Sequence, residues 1–181
     1  SAPGTYVADL SDESQVAAAV TFLRSDGFRP SAAVLIAGGF EGGGIAETDH
    51  ASIQRMLDMN FYSAWHVIRS LSLVFGSISG LKIILIGARS ARDASAGKSA
   101  MAYAFAKSLL FSMTELLNAD KAFLDARVTL LVPGTIDTPA NRSWSPDADF
   151  TKWSKPEDMA RLMCAIAAND ETVSWKPIIE C

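Results

Sequence analysis

Short unbroken apolar runs alternate along this chain with longer stretches in which apolar residues recur every three or four positions. The runs are "SAAVLIAGG" (31–39), "LKIILIGA" (81–88) and "ARVTLLVPG" (126–134). Apolar runs of this length, closed by glycine or proline, predict strands buried on both faces. Between the first two, residues 49–75 predict one long helix with Ile53, Met56, Leu57, Asn60, Ala64, Val67, Ile68 and Leu71 on a single stripe. Residues 14–26, the stretch running from Tyr103 to about Asn118, and 155–168 predict further helices, the last with Pro156 near its first turn. Ser11 is the expected cap of the first helix, Asp12 and Glu13 suit its positive end, and Gly27 stops it. "TYVADL" (5–10) predicts an opening strand and "TVSWKPII" (172–179) a closing one.

Strand and helix alternate throughout, so the expected fold is α/β. It is a Rossmann-like, three-layer parallel sheet with helices on both faces, in one domain over residues 1–181. Ligands of such sheets bind beyond the carboxyl ends of the strands. The stretches 38–44, 87–98 and 133–142 are therefore expected to form one rim.

Composition removes several function classes. The net charge of −4 offers no basic face for nucleic acid, and no Lys/Arg cluster suits an anionic membrane. No apolar run reaches the roughly 18 residues a membrane span needs. Two cysteines and two histidines make a disulfide framework and a metal site poor expectations, and a reducing cytoplasm fits best. The amino terminus lacks both an initiator Met and a signal-peptide pattern, which points to a processed, tagged or partial chain.

Two readings compete at "AGKSAMAYAFAK" (96–107). Gly97-Lys98-Ser99 ends like a phosphate-binding loop, but the glycine required five residues earlier is Arg92, so that reading fails. Tyr103 and Lys107 stand four apart, one above the other on a helix. A nearby ammonium lowers a phenol's pKa toward the range useful for acid–base work. Taken alone the pair is also compatible with an ordinary surface contact.

Five ordered pieces add to it: "ADL" after a strand, "IAGG" after the next, Asn60 in "LDMNFYSAW", "YAFAK" and "VPGTIDTP". In this order the chain resembles the short-chain dehydrogenase/reductase family. Within that family, "AGGFEGG", "IGARSA" and "IDTPANRSWSPDADFTKW" resemble the quinonoid dihydropteridine reductases. The resemblance implies an NAD(P)H-dependent oxidoreductase that reduces a quinonoid dihydropterin or similar small carbonyl compound.

It makes Tyr103 the proton donor, assisted by Lys107, and Asn60 the holder of a relay water. Ser90 would orient substrate if the loop is counted back from Tyr103; aligned on the strand end, Ala88 falls at that place instead. Asp9 would contact the adenine end of NAD or NADP. Ala37, Gly38 and Gly39 would form the small-residue turn beside the cofactor, and Pro133, Gly134, Thr135 and Thr138 would line its nicotinamide and pyrophosphate side. For each, a bland structural role is the alternative. Asn141, Arg142 and Trp153 are expected either in a mobile lid or in a solvated loop.

The resemblance also implies a homodimer or homotetramer, with Phe61, Trp65, Phe105, Leu109 and Met113 as outer apolar positions. The family's first two strands and glycine-rich turn have no counterpart, which leaves NADH and NADPH undistinguished. Two rival readings remain: a generic carbonyl/alcohol dehydrogenase using Ser90, and a catalytically silent oligomerisation or regulatory module.

Overall fold

The computed structural model describes residues 5–120, 125–170 and 172–181. Helix α1 spans Glu13–Ser25. Its cap is Asp12 rather than Ser11: the carboxylate accepts the backbone N–H groups of Ser14 and Gln15. An anion there satisfies orphan donors and also faces the positive helix end, which a hydroxyl does not match. Ser11 instead donates its N–H and hydroxyl to Asp9. "TYVADL" is not a strand. No described strand lies beside it to complete a ladder, and an extended segment becomes a strand only through that ladder. Its Tyr6 packs on Phe22 of α1 instead.

The chain continues through β1 (Ala32–Leu35), α2 (His50–Leu57), a π-helical turn (Asp58–Tyr62), α3 (Ser63–Phe75) and β2 (Leu81–Ile86). A short 3-10 turn (Arg89–Ala91), α4 (Ala94–Gly97), α5 (Met101–Ala119), β3 (Ala126–Val132) and α6 (Pro139–Trp144) follow. A second 3-10 turn (Phe150–Lys152), α7 (Pro156–Ala168) and β4 (Ile178–Glu180) complete it. The four strands are parallel and ordered β1-β2-β3-β4.

Alternate residues of β2 and β3 face opposite layers. Ile83, Leu85, Val128 and Leu130 pack against Ala64 and Ile68 of α3 and Leu110 and Met113 of α5. Val16 and Val20 of α1 join this layer through Leu71. On the other face Ile84 and Leu131 meet Ile166 of α7. The strands step in one direction while α7 lies on the far side, so the β3–β4 crossover has the opposite hand to the two before it. Such connections are overwhelmingly of one hand, which makes this last one unusual.

Three expectations change. β2 and β3 are buried as expected, but β1 is not: Val34 is 42% exposed, because β1 ends the described sheet and α7 does not reach over it. Met113 belongs to the core rather than to an outer face. The helix over 49–75 is interrupted, because the Ser63 N–H reaches back five residues to the Asp58 carbonyl. A π-turn adds one residue to the winding and re-aims what lies inside it.

Gly97 shows what a missing side chain permits. A Cβ there would lie 2.5 Å from the Ser90 carbonyl oxygen, whereas one at Gly42 would find only ordinary contacts. Gly97→Ala is expected to destabilise the fold by about 1–3 kcal/mol through overpacking, and Gly42→Ala to change it far less; urea unfolding of both variants checks this.

Candidate active site

Lys107 lies on the buried side of α5, 6% exposed, and donates from Nζ to the Ile86 carbonyl at 2.8 Å. Ile86 ends β2. Lysine has three donors, and this is the single hydrogen bond Nζ makes among the described residues. One turn earlier, Tyr103 is half-buried, and the Lys107 Nζ lies 5.8 Å from its ring centroid.

The electrostatics differ from the expectation that the cation lowers the phenol. Burial pushes Tyr103 up to about 12 and Lys107 down to about 8. The ammonium is turned toward the strand carbonyl and the ring face, so desolvation outweighs its attraction for a phenolate.

Asn60 sits in the π-turn, 2% exposed. Its amide donates to the Met56 carbonyl at 3.0 Å, and its Oδ1 accepts the Gly39 N–H at 3.2 Å. Gly38 joins the two clusters. A Cβ on it would stand 2.7 Å from Asn60 Oδ1 and 3.4 Å from Lys107 Nζ, and a Cβ on Gly39 would collide with Met59. The glycine loop is also stitched to the start of α5: Gly43 N–H donates to the Ser99 carbonyl, and Met101 N–H donates to the Gly43 carbonyl. Glycine suits position 43, where φ is +150°.

The rim is assembled as expected. The Arg89 N–H donates to the Pro133 carbonyl, which joins the second stretch to the third. Gly134 N–H donates to the Cys181 carbonyl, Thr135 accepts the Ser154 N–H, and Thr138 caps α6 by accepting the Asn141 N–H. Ala37 is exposed beside Gly38. Ser90 lies in the 3-10 turn with no hydrogen bond to Tyr103, while Ala88 is buried at the strand exit. Asp9 is exposed, its carboxylate occupied by Ser11.

In the lid stretch, Asn141 donates to the Ile136 carbonyl, and Arg142 pairs with Asp137 at 2.5 Å and lies over the Phe150 ring. Trp153 packs edge-on against Phe150. Sequence reasoning overlooked Phe40 and Trp144. Phe40 contacts the Tyr103 ring at 5.1 Å and the Trp144 ring at 6.0 Å between centroids, both edge to face. The signal was an aromatic inside a glycine loop, where packing alone has little use for one.

Comparison with known proteins gives the family. The family model described as enoyl-(acyl carrier protein) reductase matches residues 1–171. The chain belongs to the short-chain dehydrogenase/reductase family. It is therefore a member of a family of NAD(P)-dependent oxidoreductases. It is 27% identical to a dihydropteridine reductase of Dictyostelium discoideum, over 90% of this chain and 70% of that one. A galactitol 2-dehydrogenase of Rhizobium johnstonii is 26% identical, over 96% of this chain and 72% of that one. A gluconate 5-dehydrogenase of Burkholderia cenocepacia, solved with NADP and tartrate, superposes with a TM-score of 0.78 at 19% identity, over 96% of this chain and 71% of that one. At that identity the likeness concerns the fold.

The residues present fit a nicotinamide dinucleotide, the cofactor of this short-chain dehydrogenase/reductase class. The exposed Ala37–Gly38 backbone carries no bulk, and Lys107 keeps two buried donors beside it for hydroxyl groups.

The burial of Lys107 has a pH signature. Its folded pKa lies below its ordinary 10.5, so between about 8 and 10.5 the unfolded chain holds more protons and stability rises with pH. Relative to Lys107→Met, the wild-type protein is expected to gain up to about 3 kcal/mol across that window. Urea unfolding at a series of pH values checks the sign, and a flat difference contradicts it.

Proposed function

We propose that this chain is an NAD(P)H-dependent reductase of a quinonoid dihydropterin or a similar small carbonyl compound, with Tyr103 as the proton donor. The observation that carries the proposal is the meeting of Tyr103, Lys107, Gly38 and Asn60 at the carboxyl ends of β1 and β2. Reduction requires a phenol that keeps its proton until substrate takes it, and burial supplies that. The cofactor supplies the hydride. The Lys107 charge, 5.8 Å from the Tyr103 ring centre, would then favour the phenolate left when the proton has gone.

Lys107, Ala37, Gly38 and Gly39 would hold the nicotinamide riboside. Pro133, Gly134, Thr135 and Thr138 would hold the pyrophosphate side, and Asp9 the adenine. Asn60 would hold a water for reprotonation, its oxygen already anchored by Gly39. Phe40 and Trp144 favour a planar ring substrate, since Phe40 lies against Tyr103, Trp144 lies against Phe40, and both are exposed. The Dictyostelium relative and the buried Ala88 agree with a pterin. The galactitol dehydrogenase relative supports the second reading, an alcohol dehydrogenase using Ser90.

Tyr103→Phe is expected to lower the turnover of a quinonoid dihydropterin with NADH or NADPH by about 10²–10⁴-fold, with coenzyme binding retained. An undiminished rate removes Tyr103 from the chemistry. In the same assay Ser90→Ala leaves the pterin rate nearly unchanged, while a collapse of alcohol oxidation in that variant favours the second reading.

The protein is also proposed to be a homodimer. Met59, Trp65, Phe105 and Leu109 leave exposed apolar surface on the π-turn, α3 and α5, and the π-turn packs on both helices. Sedimentation is expected to show a dimer that Phe105→Glu dissociates; a monomeric wild-type protein contradicts this.

A further inference from the structure

The glycine loop 38–44 brings one large side chain to Tyr103, and nothing in that residue's own backbone holds it there. Among the described residues neither the N–H nor the carbonyl of Phe40 takes part in a hydrogen bond. Its ring is 58% exposed, with one edge contact to the Tyr103 ring and another to Trp144. Burial does not fix such a ring either, so Phe40 is placed by the residues on its two sides. On one side the Gly39 N–H donates to Asn60. On the other stands Glu41, which is held from outside the site.

Arg55 of α2 donates to Glu41 from Nε at 3.2 Å and from Nη2 at 2.9 Å, one bond to each carboxylate oxygen. The same Nη2 reaches the Ser52 hydroxyl at 3.2 Å, and that hydroxyl donates to Asp49, the cap of α2. A surface ion pair commonly contributes little, but a two-pronged pair tied into a network is the exception. The next residue on α2, Met56, is buried against Ala102 and Ala106 of α5, in a cluster against which Tyr103 also packs. One turn of α2 thus holds both the phenol and the loop that lays Phe40 on it.

We infer that the Glu41–Arg55 ion pair is a positioning element of the site: it holds the Phe40 ring on Tyr103, and so fixes the aromatic wall that a planar substrate meets. For the substrate this rests on the pterin reductase reading; for the placement of Phe40 it does not. Neither Glu41 nor Arg55 touches the reacting atoms. Without the pair Phe40 is released on the Glu41 side, and a flat ring binds less well. Lys107 keeps its bond to the Ile86 carbonyl, and Tyr103 keeps its packing on α2.

In the full protein a nuclear Overhauser cross-peak between the Phe40 and Tyr103 rings, assigned through Phe40→Leu and Tyr103→Phe, reads the contact without substrate. It is expected in the wild type and is expected to be lost in Arg55→Met and in Glu41→Gln. With quinonoid dihydropterin and NADH or NADPH, each variant is expected to raise the pterin KM by about three- to tenfold, the worth of one aromatic contact, with kcat changed less than about twofold. The double variant is expected to match the single ones, because either change alone removes the same pair. Arg69→Met, which removes another surface ion pair, with Glu13 of α1, is the control and leaves both readouts unchanged. Circular dichroism melting confirms folding, and Glu41→Gln, in a loop outside the helices, is the deciding variant if Arg55→Met is not folded. The inference is overturned by a cross-peak absent from the wild type or persisting in folded Glu41→Gln, by a KM in the double variant equal to the product of the single effects, or by a fall in kcat with KM unchanged. A wild type that shows the cross-peak but turns over no dihydropterin overturns the pterin reading instead, and the cross-peak in the variants still decides the placement of Phe40.

Discussion

A lysine ammonium almost closed off from water must be held by acceptors or give up its proton, and Lys107 is close to that balance. Its one described acceptor is the carbonyl that ends β2. That bond fixes the rotation of α5 against the sheet, and so decides where the phenol one turn earlier points. Gly38 must come close enough to touch both Nζ and the Asn60 oxygen, which excludes any side chain there. Asn60 reaches this place because the π-turn carries it inward. Each element at this end of the sheet is positioned by how it accommodates one buried cation.

The layered α/β fold was legible because its strands announce themselves. Nothing but burial on two faces explains "LKIILI" or "RVTLLV", and the structure places both at the centre of the sheet. Helical spacing put 103 and 107 on one face, and the ordered pieces of the family resemblance set that pair apart from an ordinary surface contact. "TYVADL" was misread because an apolar run specifies a tendency, while a strand needs a neighbour. The π-turn was invisible for a related reason: the stripe from Ile53 to Leu71 is continuous in sequence, and one extra residue in the winding leaves no mark on it. The raised Tyr103 pKa could not be read either, since spacing gives the proximity of the two groups and not the water removed from around them. Phe40 was not legible because its partners, the Tyr103 and Trp144 rings, are far away in sequence and meet it only once the sheet is assembled.

The two ends of β2 and β3 handle positive charge in opposite ways. At the carboxyl end the buried Lys107 ammonium donates to a strand carbonyl. At the amino end Lys82 and Arg127 are register partners, and among the described residues neither forms a salt bridge. The reversed hand of the last crossover also separates the two faces of these strands. It puts α7 over Ile84 and Leu131, on the face opposite α3 and α5.

The turn at Asp58–Tyr62 also makes the two halves of its helix rotationally distinct. Each residue of an α-helix advances the azimuth by about 100°, so losing one residue there would leave a straight rod with one half swung round. Met56 faces Ala102 and Ala106, while Ile68 faces the sheet. A straight rod could satisfy one of these partners and would have to abandon the other. The length of the chain between those two residues is therefore as much a part of the fold as their identity.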